Sequence, residues 1–178
     1  MSRAAFILFP NLPDGLRDTS KRVAFYALVI GIDDYEKVSK LSGATADADD
    51  MDLFLRTHLN VPTSHIINLR DKTATRETII QAFRSLQNNP EIDHGDAIFV
   101  YYAGHGSETE APVGWVTPSS KIQVLLPQDV GTPDLQQLPI PPIPDRTFAT
   151  LLNDLAEKKG NNIVSLDVED VHLYSLVC

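Results

Sequence analysis

Two stretches of this chain, "VAFYALVIGIDDY" (Val23–Tyr35) and "DAIFVYYAGHGS" (Asp96–Ser107), are near-continuous apolar and aromatic runs that break on Gly, Asp or His. A strand with one wet face alternates apolar and polar residues, and these do not. They read as strands buried on both faces, as in a parallel sheet covered by helices on either side. "SHIINLRD" and "NIVSLD" (Asn162–Asp167) read as two further strands. Between them lie segments with helical spacing. "TADADDMDLFLRTHL" places Met51, Phe54, Leu55 and Leu59 on one side, with carboxylates crowding its first turn. "TATRETIIQAFRSLQNN" opens on Thr75 as N-cap and carries Ile79, Ile80, Phe83 and Leu86 as a stripe. Asp145 is expected to cap "RTFATLLNDLAEKK", which Gly160 ends.

The resulting order, β-α-β-α-β-…-α-β, specifies an α/β fold with a mostly parallel sheet and helices on both faces. Residues 1–21 contain Pro10, Pro13 and Gly15 without a period and read as a loose lead-in. Ser107 to Asp129 is irregular, with a hairpin expected around "GWVTPSSKIQVLL", and Gly131 to Pro144 is an extended, Pro-rich connector. In open parallel sheets function gathers beyond the carboxyl ends of the strands. Gly31–Asp33, His105 and Asp167 all fall there.

Composition excludes several functions. The net charge is −9 and the pI about 4.9, with no basic run, so neither nucleic acid nor an anionic membrane is an expected partner. A single cysteine, Cys178, rules out an internal disulfide framework and fits the reducing cytoplasm, the expected location. No strand is followed by G-x-G-x-x-G or G-K-[ST], so a nucleotide site is not indicated. "DADDMD" (Asp47–Asp52) lacks the glycine and closing glutamate of a calcium loop. "AGHGS" has no central serine and is not a nucleophile elbow. One Cys and scattered His cannot make a structural zinc site. No cofactor or metal is therefore expected.

His58, His65 and His94 sit at element boundaries and read as ordinary surface or boundary residues. His105 differs: it stands between two glycines at the end of a buried strand, where the backbone can turn and a substrate can approach closely. A neutral imidazole there is suited to moving a proton near pH 7, although a core strand followed by a turn would also produce this pattern.

Taken together, "ALVIGIDDY…LSGATADADDM…TRETIIQAFRSL…DAIFVYYAGHGS" resembles the large-subunit region of the caspase-like cysteine peptidases (peptidase C14), and among them the metacaspase type. The resemblance spans roughly Arg22 to Asp167, and "YAGHG" is its most specific element. It implies a caspase-like three-layer sandwich, incomplete at the C-terminus. The implied domain covers 22–167, with 168–178 as an aberrant tail. It also implies a Cys/His dyad that hydrolyses peptide bonds, a thiol-protease activity associated in the family with programmed cell death. His105 is then the general base and acid, and the Gly106 backbone contributes to an oxyanion hole. Metacaspase-type enzymes cleave after Arg or Lys, and Asp47, Asp167 and Asp129 fall where acids of that pocket are expected; helix capping or a turn is the plainer role for each.

The chain then departs from the pattern. The family continues its fourth strand into D-x-C-x-S-G, whereas here "VEDVHLYSLVC" follows, with Glu169 at the thiol's position. A carboxylate does not replace a thiolate as nucleophile, and Cys178 has no glycine turn to aim it at His105. The chain as written is expected to be inactive. Two accounts stand: a mis-stated piece of an active peptidase of basic-P1 peptides, or a catalytically dead module that binds such peptides or pairs with an active relative. Under the first account, the chain as written leaves "NIVSLD" exposed to becoming an unpaired edge strand. Calcium dependence is a family trait that no residue here decides.

Overall fold

The computed structural model describes residues 24–115, 120–168 and 173–177, the last of these and 167–168 by backbone alone. β1 (Phe25–Gly31) is followed by α1 (Ala44–Thr57), β2 (Ile66–Arg70), α2 (Arg76–Asn88) and β3 (Ala97–Ala103). A hairpin of β4 (Gly106–Glu110) and β5 (Lys121–Leu125) comes next, then β6 (Ile143–Pro144), α3 (Asp145–Lys159), β7 (Ile163–Val168) and β8 (Leu173–Val177). The main sheet has the order β2-β1-β3-β7-β8, parallel through β7, and a small antiparallel sheet has the order β4-β5-β6. Among the described residues no helix is long and apolar enough to cross a membrane.

The direction in which strands are added to the sheet reverses after β2. β2 lies on one side of β1, and the next crossover returns past it to place β3 on the other side. With right-handed crossovers, such a reversal sends α1 to one face of the sheet and α2 to the opposite one. The packing agrees. Leu28, Ile30, Ile98, Val100 and Tyr102 join Ile79, Phe83 and Leu86 of α2 and Phe148, Leu152 and Leu155 of α3. Phe83 and Phe148 meet edge to face, their ring centroids 5.4 Å apart. On the other face Ala27, Val29, Tyr101 and Ala103 meet Ala44, Ala48 and Leu55 of α1. The strands lack alternation because each of their faces has a helix to bury against.

The two faces differ in residue size for a reason that lies in β1. A Cβ placed on Gly31 would come within 2.6 Å of Ala48 Cβ, 2.8 Å of Ala44 O and 3.0 Å of Thr45 Cα. The glycine and the alanines of α1 thus let helix and strand backbones approach closely.

Thr75 caps α2 as expected, its hydroxyl accepting from Thr78 N at 3.2 Å. Gly160 ends α3 at φ 94°. Other expectations are corrected. α3 begins on Asp145 itself, with Pro144 in the N-cap position, because the proline's fixed φ already leads into a helix. The hairpin expected around "GWVTPSSKIQVLL" takes its first strand from further upstream: "GSETE", directly after His105, pairs with Lys121–Leu125, from Gly106↔Leu125 to Glu110↔Lys121. β7 is not an edge: β8 pairs antiparallel with it, from Val164↔Val177 to Val168↔Leu173. The lead-in, Glu169 and Cys178 lie outside the described residues.

Gly31→Ala is expected to force α1 off the sheet and to cost roughly 2 kcal/mol, the usual range for overpacking a core. Urea unfolding of the two proteins checks this; an unchanged midpoint would show that α1 has room to yield.

Candidate active site at the carboxyl edge of the sheet

The reversal of strand order between β1 and β3 opens a crevice at their carboxyl ends. Asp33 follows β1, and His105 follows β3. The N-termini of α1 and α2 point to the same edge, because each helix runs antiparallel to the strand it covers.

The main chain of His105 is fixed by two tyrosines. Its amide donates to the Tyr35 hydroxyl at 2.8 Å. Its carbonyl accepts from the Tyr102 hydroxyl at 3.0 Å and from Leu126 N at 3.0 Å. Tyr102 also donates to Leu126 O at 2.8 Å, and the two phenol oxygens are 3.4 Å apart. Burial, the foremost cause, pushes the Tyr35 phenol above its ordinary pKa despite its hydrogen bonds, so it stays neutral.

These hydroxyls explain Gly104. A Cβ there would lie 2.6 Å from the Tyr35 hydroxyl and 2.7 Å from that of Tyr102. Sequence reasoning assigned the glycine to a sharp turn, but its φ is not in the left-handed region. What the position needs is space for the two hydroxyls.

The His105 ring is half-buried and tilted 43° against Tyr35, with centroids 4.9 Å apart. Nε2 lies 2.8 Å from Ser39 O and 3.4 Å from the Ser39 hydroxyl. A carbonyl only accepts, so Nε2 is the donor, and in the neutral ring the lone pair is then on Nδ1. That is the tautomer a base acting through Nδ1 would need.

Ser39 is positioned by a loop held at both ends. Asp33 accepts from the amides of Gly43 (3.1 Å), Ala44 (2.9 Å) and Thr45 (3.1 Å), and from the Thr45 hydroxyl (2.5 Å). Partial burial pushes the Asp33 carboxyl up, but the Thr45 hydroxyl and these amides outweigh it and hold the group below its ordinary value. Asp71, in a left-handed conformation at φ 42°, accepts from the amides of Asp33 and Asp34, both at 2.8 Å. Within the loop Lys40 pairs with Asp34, an exposed contact that lowers the carboxyl's pKa.

The candidate pocket acids fall differently. Asp47 is exposed in the first turn of α1, and its carboxylate has no partner among the described residues. Asp129 accepts from Arg76 N at 2.9 Å, so one of its oxygens serves the start of α2. Asp167 is opposite Tyr102 in the β3–β7 register, one residue short of the strand ends. All three segments therefore reach the edge that carries His105. Gly106 begins β4, opposite Leu125.

His65 and His58 are engaged elsewhere. His65 stacks on Tyr26 with centroids 4.2 Å apart, and His58 stacks on Phe54. A cavity of about 380 Å³ lined by Tyr26, His65, Ile67, Ser85 and Asn88 opens at the amino end of the sheet, away from His105. Among the described residues there is no cluster of three or more His, Cys, Asp or Glu able to hold a metal ion.

The profile of the peptidase C14 caspase domain matches residues 24–154. This chain belongs to the caspase-domain family. Metacaspase-1 of Kluyveromyces lactis is 30% identical over 90 residues, covering 47% of this chain and 20% of that protein. The crystal structure of protein GSU0716 from Geobacter sulfurreducens superposes with a TM-score of 0.58 at 19% identity, over 81% of this chain and 48% of that one. The chain thus spans about a fifth of the length of the first and about half of the second. The likeness in structure shows the fold: a mixed α/β, caspase-like sandwich.

Sequence reasoning singled out His105 and put Asp33 at the same edge, but it did not identify Tyr35, Ser39, Tyr102 and Asp71, nor the part Asp33 plays in positioning His105. The signal was present in "IGIDDY", where an aspartate pair and a tyrosine end a buried strand.

Gly104→Ala is expected to cost about 2–3 kcal/mol by displacing one tyrosine hydroxyl. Thermal unfolding measures the loss, and a wild-type Tm would remove the proposed crowding. Asp33→Asn is expected to cost about 2 kcal/mol near pH 7, as for loss of a strong cap. Folding lowers the pKa of Asp33, so its stabilisation is complete above the unfolded carboxylate value and fades as pH falls through the folded one. The gap between the two proteins should therefore narrow from about pH 5 towards pH 3. Urea titrations across that range read it, and a gap independent of pH would contradict the assignment.

Proposed function

We propose that this domain presents the base half of a Cys/His peptidase site together with a cleft for peptides bearing Arg or Lys. The observation that carries this is the His105 ring, anchored through Nε2 to the Ser39 carbonyl with Nδ1 left as acceptor. In a family member with a thiol at the end of the fourth strand, a base so held takes the thiol proton. The sulfur then attacks the peptide carbonyl, and backbone amides near Gly106 stabilise the oxyanion. The protonated imidazole gives its proton to the leaving amine as the C–N bond breaks. Water, activated by the same nitrogen, hydrolyses the resulting thioester.

In this chain Glu169 stands where the resemblance expects that thiol, and Cys178 is eleven residues past Asp167. The reading for the chain as written is therefore binding of basic peptides without turnover, in the cytoplasm. The unpartnered Asp47 carboxylate supports the choice of a cationic side chain, since a guanidinium or ammonium would give it a charge-assisted hydrogen bond. The second oxygen of Asp129 is a further candidate for the proposed acidic wall, and the resemblance adds Asp167.

Fluorogenic peptides with Arg or Lys before the scissile bond should show no hydrolysis above buffer; turnover that disappears in His105→Ala would overturn the inactivity. By anisotropy, a labelled peptide with Arg should bind more tightly than its Asp counterpart. Asp47→Asn should weaken the Arg peptide about five- to tenfold, the range of one charge-assisted hydrogen bond. Equal binding of the two peptides would remove the acidic-pocket assignment.

A further inference from the structure

Among the described residues the buried polar side chains are those of Asp96, Gln128, Thr132 and Ser165. A polar group taken out of water costs stability unless it is paired, so each is expected to hold something. Asp96 accepts from the amides of Ala24 and Asp93, and the Thr132 hydroxyl donates to Asp129 O at 2.7 Å. Gln128, 3% exposed, reaches furthest in sequence. Its Nε2 donates at 3.0 Å to the carbonyl of Asp34, 94 residues earlier. A carbonyl only accepts, so the amide nitrogen of the side chain must face it.

Gln128 belongs to the segment after β5, and this segment touches both sides of the contact between His105 Nε2 and Ser39 O. On the side of the base, Leu126 N donates to His105 O at 3.0 Å. On the side of the anchor, Gln128 holds Asp34 O, and Gly131 lies against Lys37, whose Cβ would be 3.6 Å from a Cβ placed on the glycine. Asp34 and Lys37 both precede Ser39 in the β1–α1 loop. The segment is itself braced. Gln128 N donates to Ala74 O at 3.0 Å, Val130 N to Pro127 O at 3.1 Å, and Thr132 N to Asp129 O at 3.1 Å. One short, braced stretch of chain therefore sets how far the loop stands from the histidine. Asp33 and Asp71 fix where the loop begins and ends. Gln128 fixes the direction of the Asp34 carbonyl, and with it the course of the chain towards Ser39.

We propose that Gln128 is a positioning residue for His105: by holding the Asp34 carbonyl it keeps the Ser39 carbonyl on Nε2, and so keeps the ring in its Nε2–H tautomer. The inference rests on the reading of His105 as a base, but its test reads the ring alone and needs neither turnover nor a bound peptide. The measurement is long-range proton–nitrogen NMR correlation of the histidine rings in the isotope-labelled full chain, at about pH 8, above the ordinary histidine range. His105, assigned by its absence in His105→Ala, should show the Nε2–H pattern. His65 should show the opposite one, because its Nδ1 faces the Phe25 carbonyl at 3.2 Å. Gln128→Met keeps the length of the side chain and removes the donor. It should raise the Nδ1–H share of His105 about fivefold, the equilibrium factor of one ordinary hydrogen bond, while His65 keeps its pattern. An unchanged His105 beside an unchanged His65 overturns the proposal. Averaging of both rings marks a variant that has not folded. Gln128→Asn, whose amide is one methylene too short for Asp34, then replaces it with the same expectation and the same overturning result. A wild-type His105 without the Nε2–H pattern overturns both this inference and the reading beneath it.

Discussion

The carboxylate of Asp33 is the point on which the edge of the sheet depends. It collects the amides of Gly43, Ala44 and Thr45 and the Thr45 hydroxyl, while its own amide and that of Asp34 are held by Asp71. The end of β1, the start of α1 and the end of β2 meet in one set of hydrogen bonds. The N-terminal amides of a helix have no partners within it, and an aspartate eleven residues before Ala44 in sequence satisfies them here. The geometry has a functional corollary. With both ends of the β1–α1 loop clamped, the Ser39 carbonyl is held against His105, and the choice of tautomer follows from that contact.

His105 is placed mainly through its backbone rather than its ring. Tyr35 accepts from its amide, and Tyr102 donates to its carbonyl. Each tyrosine buries its ring in the core and spends its hydroxyl on the turn, so the site is as rigid as the packing beneath it. The carbonyl also receives Leu126 N, which ties the β4–β5 hairpin to the same residue. Gly104 makes this possible by having no side chain where two hydroxyls converge. A rigid core strand can thereby end in a polar, solvent-reachable base without leaving its buried main-chain groups unpaired.

What was legible in the sequence follows the range of the interaction. Continuous apolar runs identified β1 and β3, helical periodicity identified α1 to α3, and Thr75 announced its own cap, because each signal is written within a few residues. β4 was not legible. "GSETE" has no apolar pattern, and it is a strand only because β5 pairs with it. The cap of α1 was equally hidden, since acids crowding a helix start pointed to Asp47 while the capping group is Asp33. Asp129 shows the converse: a residue read as a pocket acid spends one oxygen on the amide of Arg76, far away in sequence. His105 was visible because the glycines beside it mark a close approach, though the groups that approach could only be identified in space.

The contacts described for His105 come from the β1–α1 loop, from β3 and from the segment after β5; among the described residues β7 supplies none of them. Yet β7 is the strand whose continuation would carry the thiol in the family pattern. In the proposed site, base and nucleophile would thus be held by separate parts of the sheet, joined among the described residues by the β3–β7 ladder. A change at position 169 therefore has no direct route by which to disturb the tautomer or orientation of His105. On the proposed reading, a missing thiol would remove the reaction while leaving His105, its carbonyl anchor and the α1 flank bearing Asp47 in place. The fold and the edge that carries His105 would then outlast catalysis, because the hydrogen bonds described at that edge do not include the nucleophile.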